Sequence, residues 1–166
     1  MIQMNRRKFL DKSYLGLSTI LVAPETITGF GKISSSSVTK NTKTYAISTW
    51  NVSEANMIAG KALEGGFSAI EAAVNGVAYE ESNLLNTTVG MGGAPDRDGV
   101  VSLDACVMNH TGDCGAVLAV ENITHVAALA KEVMEKTPHV ILAGKGARQF
   151  ALEQGYKPEN LSLIHI

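Results

Sequence analysis

Three clusters in this sequence carry side chains able to do chemistry. The first is Ser48-Thr49-Trp50-Asn51, which holds the one tryptophan of the chain among hydroxyls and an amide. Tryptophan offers a broad apolar face and one N–H donor, which suits either a ligand pocket or a core anchor for the elements that follow. The second is Gly92-Gly93-Ala94-Pro95-Asp96-Arg97-Asp98-Gly99. Its glycines supply positive φ, its proline fixes a corner, and its carboxylates can accept from nearby backbone N–H groups. Asp96, Arg97 and Asp98 read as a salt-bridged turn rather than a substrate clamp. The third is Leu103-Asp104-Ala105-Cys106-Val107-Met108. Asp104 interrupts an apolar run, and a buried carboxylate requires partners. Holding backbone or a cation structurally is preferred over catalysis as its role. Cys106 and Cys114 read as two small apolar side chains buried in adjacent strands, with a disulfide across the hairpin as the alternative. The four histidines, His110, His125, His139 and His165, have no spacing that builds a relay. With no CxxC pattern either, no metal or other cofactor is expected.

The composition narrows the rest. Across 166 residues, 45% are apolar and the net charge is -2, which fits a chain able to bury a core. Basic residues do not interleave with aromatics, so a nucleic-acid partner is not expected.

The elements that must position these clusters follow from periodicity. Residues 44–50 are β-branched and aromatic and predict a strand. Ser53 and Asn56 open a helix with Ala55, Ile58, Ala59 and Ala62 on one face, and Gly65-Gly66 ends it. Ser68 and Glu71 form a capping box for a second helix with the apolar stripe Ile70, Ala73, Val74 and Val77. Residues 83–99 are a long glycine-bearing loop. Strands at 100–108 and 114–120 flank the turn His110-Thr111-Gly112-Asp113, and small residues in the second imply a layer packed closely on it. Thr124 caps a helix whose inner side is Val126, Leu129, Ala130 and Val133, stopped by Thr137-Pro138. A short buried strand at 140–143 and a helix over 144–154 complete an α+β pattern of helices packed on a sheet.

The order and spacing of these motifs resemble the glycosylasparaginases, N-terminal-nucleophile hydrolases of the plant-type asparaginase family. The resemblance runs over about residues 44–160. It rests on Ser48-Thr49-Trp50-Asn51, Ala69-Ile70-Glu71-Ala72, the loop Val89-Gly90-Met91-Gly92-Gly93-Ala94-Pro95-Asp96, the strand 103–108, and Val133-Met134-Glu135-Lys136-Thr137-Pro138-His139-Val140. It implies the α-subunit half of a four-layer αββα sandwich. It also implies a precursor that cleaves itself, a β-subunit from the same precursor as partner, and an (αβ)2 assembly of the whole protein. The substrate it implies is a glycosylated asparagine, with isoaspartyl peptides or asparagine for the sibling enzymes. The nucleophile of that family is the new N-terminal threonine of the β-subunit, whose own α-amine titrates near neutrality and serves as base. Thr111 follows His110 in a turn and lacks that context, so no catalytic residue is expected in this chain. Trp50 matches the tryptophan that lines the family's substrate pocket. Val52 and Ala94 depart from the residues common at their positions. A non-catalytic secreted binding domain is the competing reading from another class.

The two ends read differently from the middle. Asn5-Arg6-Arg7-Lys8-Phe9-Leu10 precedes a short, moderately apolar run, so residues 1–30 read as a twin-arginine export signal and the expected location is periplasmic or secreted. No membrane association is expected after signal removal. Residues 31–43 read as a Ser/Thr-rich linker, residues 44–161 as the α-subunit portion, and residues 162–166 as a non-native tail.

Overall fold

A computed structural model describes residues 43–161. The expected export signal, almost all of the linker and the tail lie outside the described residues. Seven regular elements follow one another: α1 (Ser53–Glu64), α2 (Ala69–Glu81), β1 (Ser102–Met108), β2 (Cys114–Glu121), α3 (Val126–Lys136), β3 (Ile141–Ala143) and α4 (Gly144–Glu153). A turn of 3-10 helix, Gly90–Gly92, interrupts the long loop. The fold class is the expected mixed α+β arrangement of helices on a sheet.

The sheet has the order β1-β2-β3. β1 and β2 form an antiparallel hairpin, while β3 joins β2 in parallel. The crossover between them is α3, as a parallel connection demands. The core lies on one face of this sheet. Val117 and Val120 of β2 meet Leu129, Ala130 and Val133 of α3 and Ala147 and Ala151 of α4. Gly115 permits the approach: a Cβ there would collide with the Ala130 carbonyl oxygen and sit 2.7 Å from the Met134 side chain. The close layer expected on this small-residue strand is therefore α3.

Four local expectations need correction. Residues 44–50 form no strand among the described residues: 44–48 are irregular, Thr49 and Trp50 bend, and Ile47 is 87% exposed. A β-prone sequence forms a ladder only where a neighbour supplies the partner groups. Helix α1 starts at Ser53 itself, so the cap position falls to Val52, whose side chain cannot accept, while Asn56 donates to Ser48 Oγ at 2.9 Å. Thr124 does not cap α3; its hydroxyl bonds Glu159, and the cap position falls to His125. The stripe of α2 is split: Val74 is buried against its surroundings, whereas Ala73 and Val77 are exposed. Ala72 and Gly76 take the packed side, where a Cβ on Gly76 would sit 2.6 Å from the Ala55 carbonyl oxygen. The capping box at Ser68 forms as expected, with Glu71 accepting from the Ser68 backbone N–H at 3.0 Å.

Candidate functional site

The exposed stripe of α2 is the floor of a trough. Ala69, Ala73 and Val77 recur every four residues and stand on one face of the helix. On one side of them a cavity of about 650 Å³ runs to β1 and touches every residue of that strand. On the other side a cavity of about 790 Å³ runs to residues 44–50. Ala69, Ala73, Val77, Thr88 and Val89 line both. Strand β1 and the irregular segment 44–50 thus face each other across one apolar floor. Among the described residues β1 pairs with β2 alone, so one of its edges has no strand partner there and borders the trough. A free edge carries a row of N–H and C=O groups able to pair with a further strand.

Trp50 stands at the rim of this region and is 63% exposed. It lines the larger cavity and a smaller neighbour of about 460 Å³ that also touches Asn51, Tyr79, Glu80 and Asn83. Its backbone is held firmly. Ser48 Oγ donates to the Trp50 carbonyl at 2.6 Å, Val52 N–H donates to the same oxygen at 2.9 Å, and Asn56 secures Ser48 from α1. Among the described residues the backbone at Trp50 is anchored while its indole stands largely bare.

Asp104 is exposed, contrary to the buried position that its apolar neighbours predict. β1 keeps a regular alternation, and Asp104 falls with Ser102, Cys106 and Met108 on its exposed face. Opposite it β2 carries a β-bulge: Leu103 pairs with Val120 and Ala105 with Val117, so Asp104 faces both Leu118 and Ala119. Ala119 takes φ 50°, and Asp104 Oδ1 accepts its N–H at 2.7 Å. The carboxylate therefore holds backbone, the structural role anticipated for it. Cys106 is exposed and Cys114 half-buried, and both are free thiols. Their strands are adjacent as expected, but the cysteines are not both buried. Cys114 is registered against Met108, which leaves Cys106 two residue pairs along. Such diagonal neighbours stand about 7–8 Å apart, beyond ordinary disulfide reach.

The glycine loop is a turn rather than a clamp. Asp96 Oδ1 accepts from the N–H groups of Asp98 and Val100, both at 2.9 Å, and Arg97 reaches Asp98 at 3.6 Å in open solvent. Thr111 is similarly spent on its turn, with its hydroxyl 2.7 Å from Asn109 Oδ1 and 3.0 Å from Asp113 Oδ2.

Sequence reasoning passed over Glu81, the last residue of α2, as the point where a helix fades. It is only 2% exposed. Its Oε1 accepts the Ala127 N–H at 2.9 Å, and its Oε2 lies 3.1 Å from His125 Nδ1. One carboxylate on α2 thereby caps the first turn of α3, satisfying a donor the helix cannot satisfy itself. Burial pushes the Glu81 carboxyl above its ordinary range, opposed by the Ala127 N–H and by His125. The loop after α2 folds back on the same residue, since Gly90, at φ 63°, packs against the Glu81 backbone where a Cβ would collide. Tyr156 is pushed up to about 12, chiefly by burial, with Glu132 and Glu81 adding to it. The available signal was an acidic residue followed, forty-four positions on, by a histidine at a helix start, a separation no local rule connects.

Comparison with known proteins agrees with this architecture. The sequence profile of the asparaginase family matches residues 23–165. The N(4)-(beta-N-acetylglucosaminyl)-L-asparaginase of Elizabethkingia miricola is 42% identical over 158 residues, 95% of this chain and 46% of that protein. The mouse (Mus musculus) protein of the same name is 38% identical over 117 residues, 70% of this chain and 34% of its own. The "Probable isoaspartyl peptidase/L-asparaginase 3" of Arabidopsis thaliana is 41% identical over 118 residues, 70% of this chain and 33% of its own. The chain thus spans less than half the length of these curated relatives. With a profile match across most of its residues, it belongs to the asparaginase family of N-terminal-nucleophile hydrolases.

Proposed function

We propose that this chain is the α-part of an exported amidohydrolase that cleaves the amide joining a sugar to an asparagine side chain. The observation that carries this reading is the open trough. Its apolar floor, free strand edge and unpaired segment 44–50 call for strands that the described residues do not supply. A β-part bearing the threonine nucleophile would provide them after self-cleavage, and Trp50 would contact the aspartyl end of the substrate at the rim. A new N-terminal threonine carries its own base, so the chemistry needs no metal or other cofactor. Two such αβ units would pair in the whole protein. Export by the twin-arginine route, to the periplasm or beyond, belongs to the same proposal and rests on Arg6-Arg7 alone.

The isoaspartyl peptidase and asparaginase activities of sibling enzymes are the second reading, favoured by the 41% identity to the Arabidopsis relative. Pairing this chain with the remaining part of the Elizabethkingia relative and assaying aspartate release separates them. We expect N-acetylglucosaminyl-asparagine to be turned over faster than isoaspartyl dipeptides. The reverse order would replace the first reading by the second. Absence of hydrolysis from both would favour a non-catalytic binding domain.

A further inference from the structure

Glu81 occupies a position that the proposed amidase chemistry does not use. It lines the 650 Å³ cavity between α2 and β1, at the junction of α2, α3 and the loop that returns through Gly90. Its polar partners are the Ala127 N–H and His125, whose side chain is itself 42% exposed. Tyr156 feels the charges of both Glu132 and Glu81, and neither Tyr156 nor Glu132 favours a second negative charge nearby. The returning loop, residues 83–93, carries no titratable side chain. Along β1 and the turn after it, the cavity also touches Asp104, Cys106 and His110. No lysine or arginine lines this cavity.

We propose that filling the trough takes up one proton at Glu81, so that acidity strengthens the joining of the two parts of this protein. The inference rests on the two-part reading above and concerns its regulation. The carboxylate has little exposed surface of its own, and the open space beside it is the cavity that it lines. A strand seated against β1 removes the cavity water, and loss of water disfavours the charged form. The geometry accepts the neutral acid without rearrangement. Oε1 continues to accept from Ala127, while a proton on Oε2 points at Nδ1, which accepts it in the appropriate tautomer. The sign follows directly. Burial already raises this carboxyl in the free chain, and covering raises it further. The complex therefore holds the proton more tightly than the free chain does. Association is strongest at acid pH and weakens as pH rises through the range above ordinary carboxylates, by up to about tenfold per pH unit for one linked proton.

Isothermal titration of the full chain with the remaining part of the Elizabethkingia relative, in two buffers of different ionisation heat, counts protons bound per complex. Near the midpoint of the pH dependence we expect uptake approaching one proton for the wild type. Glu81→Gln, which keeps an acceptor for Ala127, should bind with nearly pH-independent affinity and little uptake. Asp104→Asn and His110→Gln, altering other titratable groups of the cavity, should retain the wild-type uptake. Binding of the wild type without proton uptake overturns the proposal and leaves the two-part reading standing. Uptake that survives Glu81→Gln or vanishes in either control also overturns it. Absence of binding at every pH overturns both.

Discussion

The two sides of α2 and β1 are built from similar apolar residues and end in opposite states. On the side of β2, α3 and α4, Val117, Val120, Leu129 and Val133 are closed off from water, and glycine at 115 lets helix backbone rest on strand. On the trough side, Ala73, Val77 and residues 44–50 carry the same kind of side chain and remain open. The difference lies in topology rather than composition. The packed side closes through one short crossover, β2-α3-β3, whose hydrophobic faces are all within this chain. The open side has a helix floor flanked by strand β1 and the irregular segment 44–50, with no element between these two walls among the described residues. Apolar periodicity says that a face seeks cover and is silent about who covers it.

This contrast can be broken or sharpened by mutation. The largest effect should come from Gly115→Val, which forces a branched side chain into the α3 backbone. A loss of about 3 kcal/mol in urea denaturation is expected; a loss near zero would mean that the packed side is looser than described. Next is Asp104→Ala. It leaves Ala119 at positive φ without its carboxylate partner and should cost about 1 kcal/mol, with exchange at the Ala119 amide accelerating first. Ser68→Ala should be milder, fraying the start of α2. The Ser68 hydrogen bonds hold the Glu71 carboxyl below its ordinary range, so that small contribution is present at neutral pH and fades as pH falls through the folded-state value. In the variant an NMR titration should find Glu71 back towards its usual range. The smallest change in the chain's own stability, under about 0.5 kcal/mol, is expected for Val77→Arg, because its site is open. The same substitution should abolish association with a β-part. If it instead destabilised the free chain as much as Gly115→Val, the trough would be a closed core and the contrast would fail.

Much of the packed side was legible in the sequence. The inner residues of α3, the capping box at Ser68, the hairpin and the stop at Thr137-Pro138 depend on local spacing, and local spacing survives folding. What misled were mostly features set by distant chain. Asp104 is the local exception: it reads as buried because its neighbours are apolar, yet the alternation of β1 puts it with Ser102, Cys106 and Met108 on the face that stays exposed. Thr124 has the right residue type for a cap, but the donor in the first turn of α3 is taken by Glu81 from another helix. Residues 44–50 have strand chemistry and no strand partner. At Trp50 the sequence offered a pocket wall or a core anchor, and the structure shows a pinned backbone with an exposed indole. The trough itself became visible only when the split stripe of α2 was placed beside the free edge of β1.

Hydrogen exchange on the chain by itself, read segment by segment, tests the central claim most directly. The account predicts that amides of residues 44–50 exchange within the dead time while those of β2 and α3 are protected by orders of magnitude. It further predicts that residues 44–50 and the free edge of β1 become protected when the remaining part of a relative is added. Equal, strong protection of residues 44–50 and β2 in the chain alone would contradict it, because the trough would then already be closed.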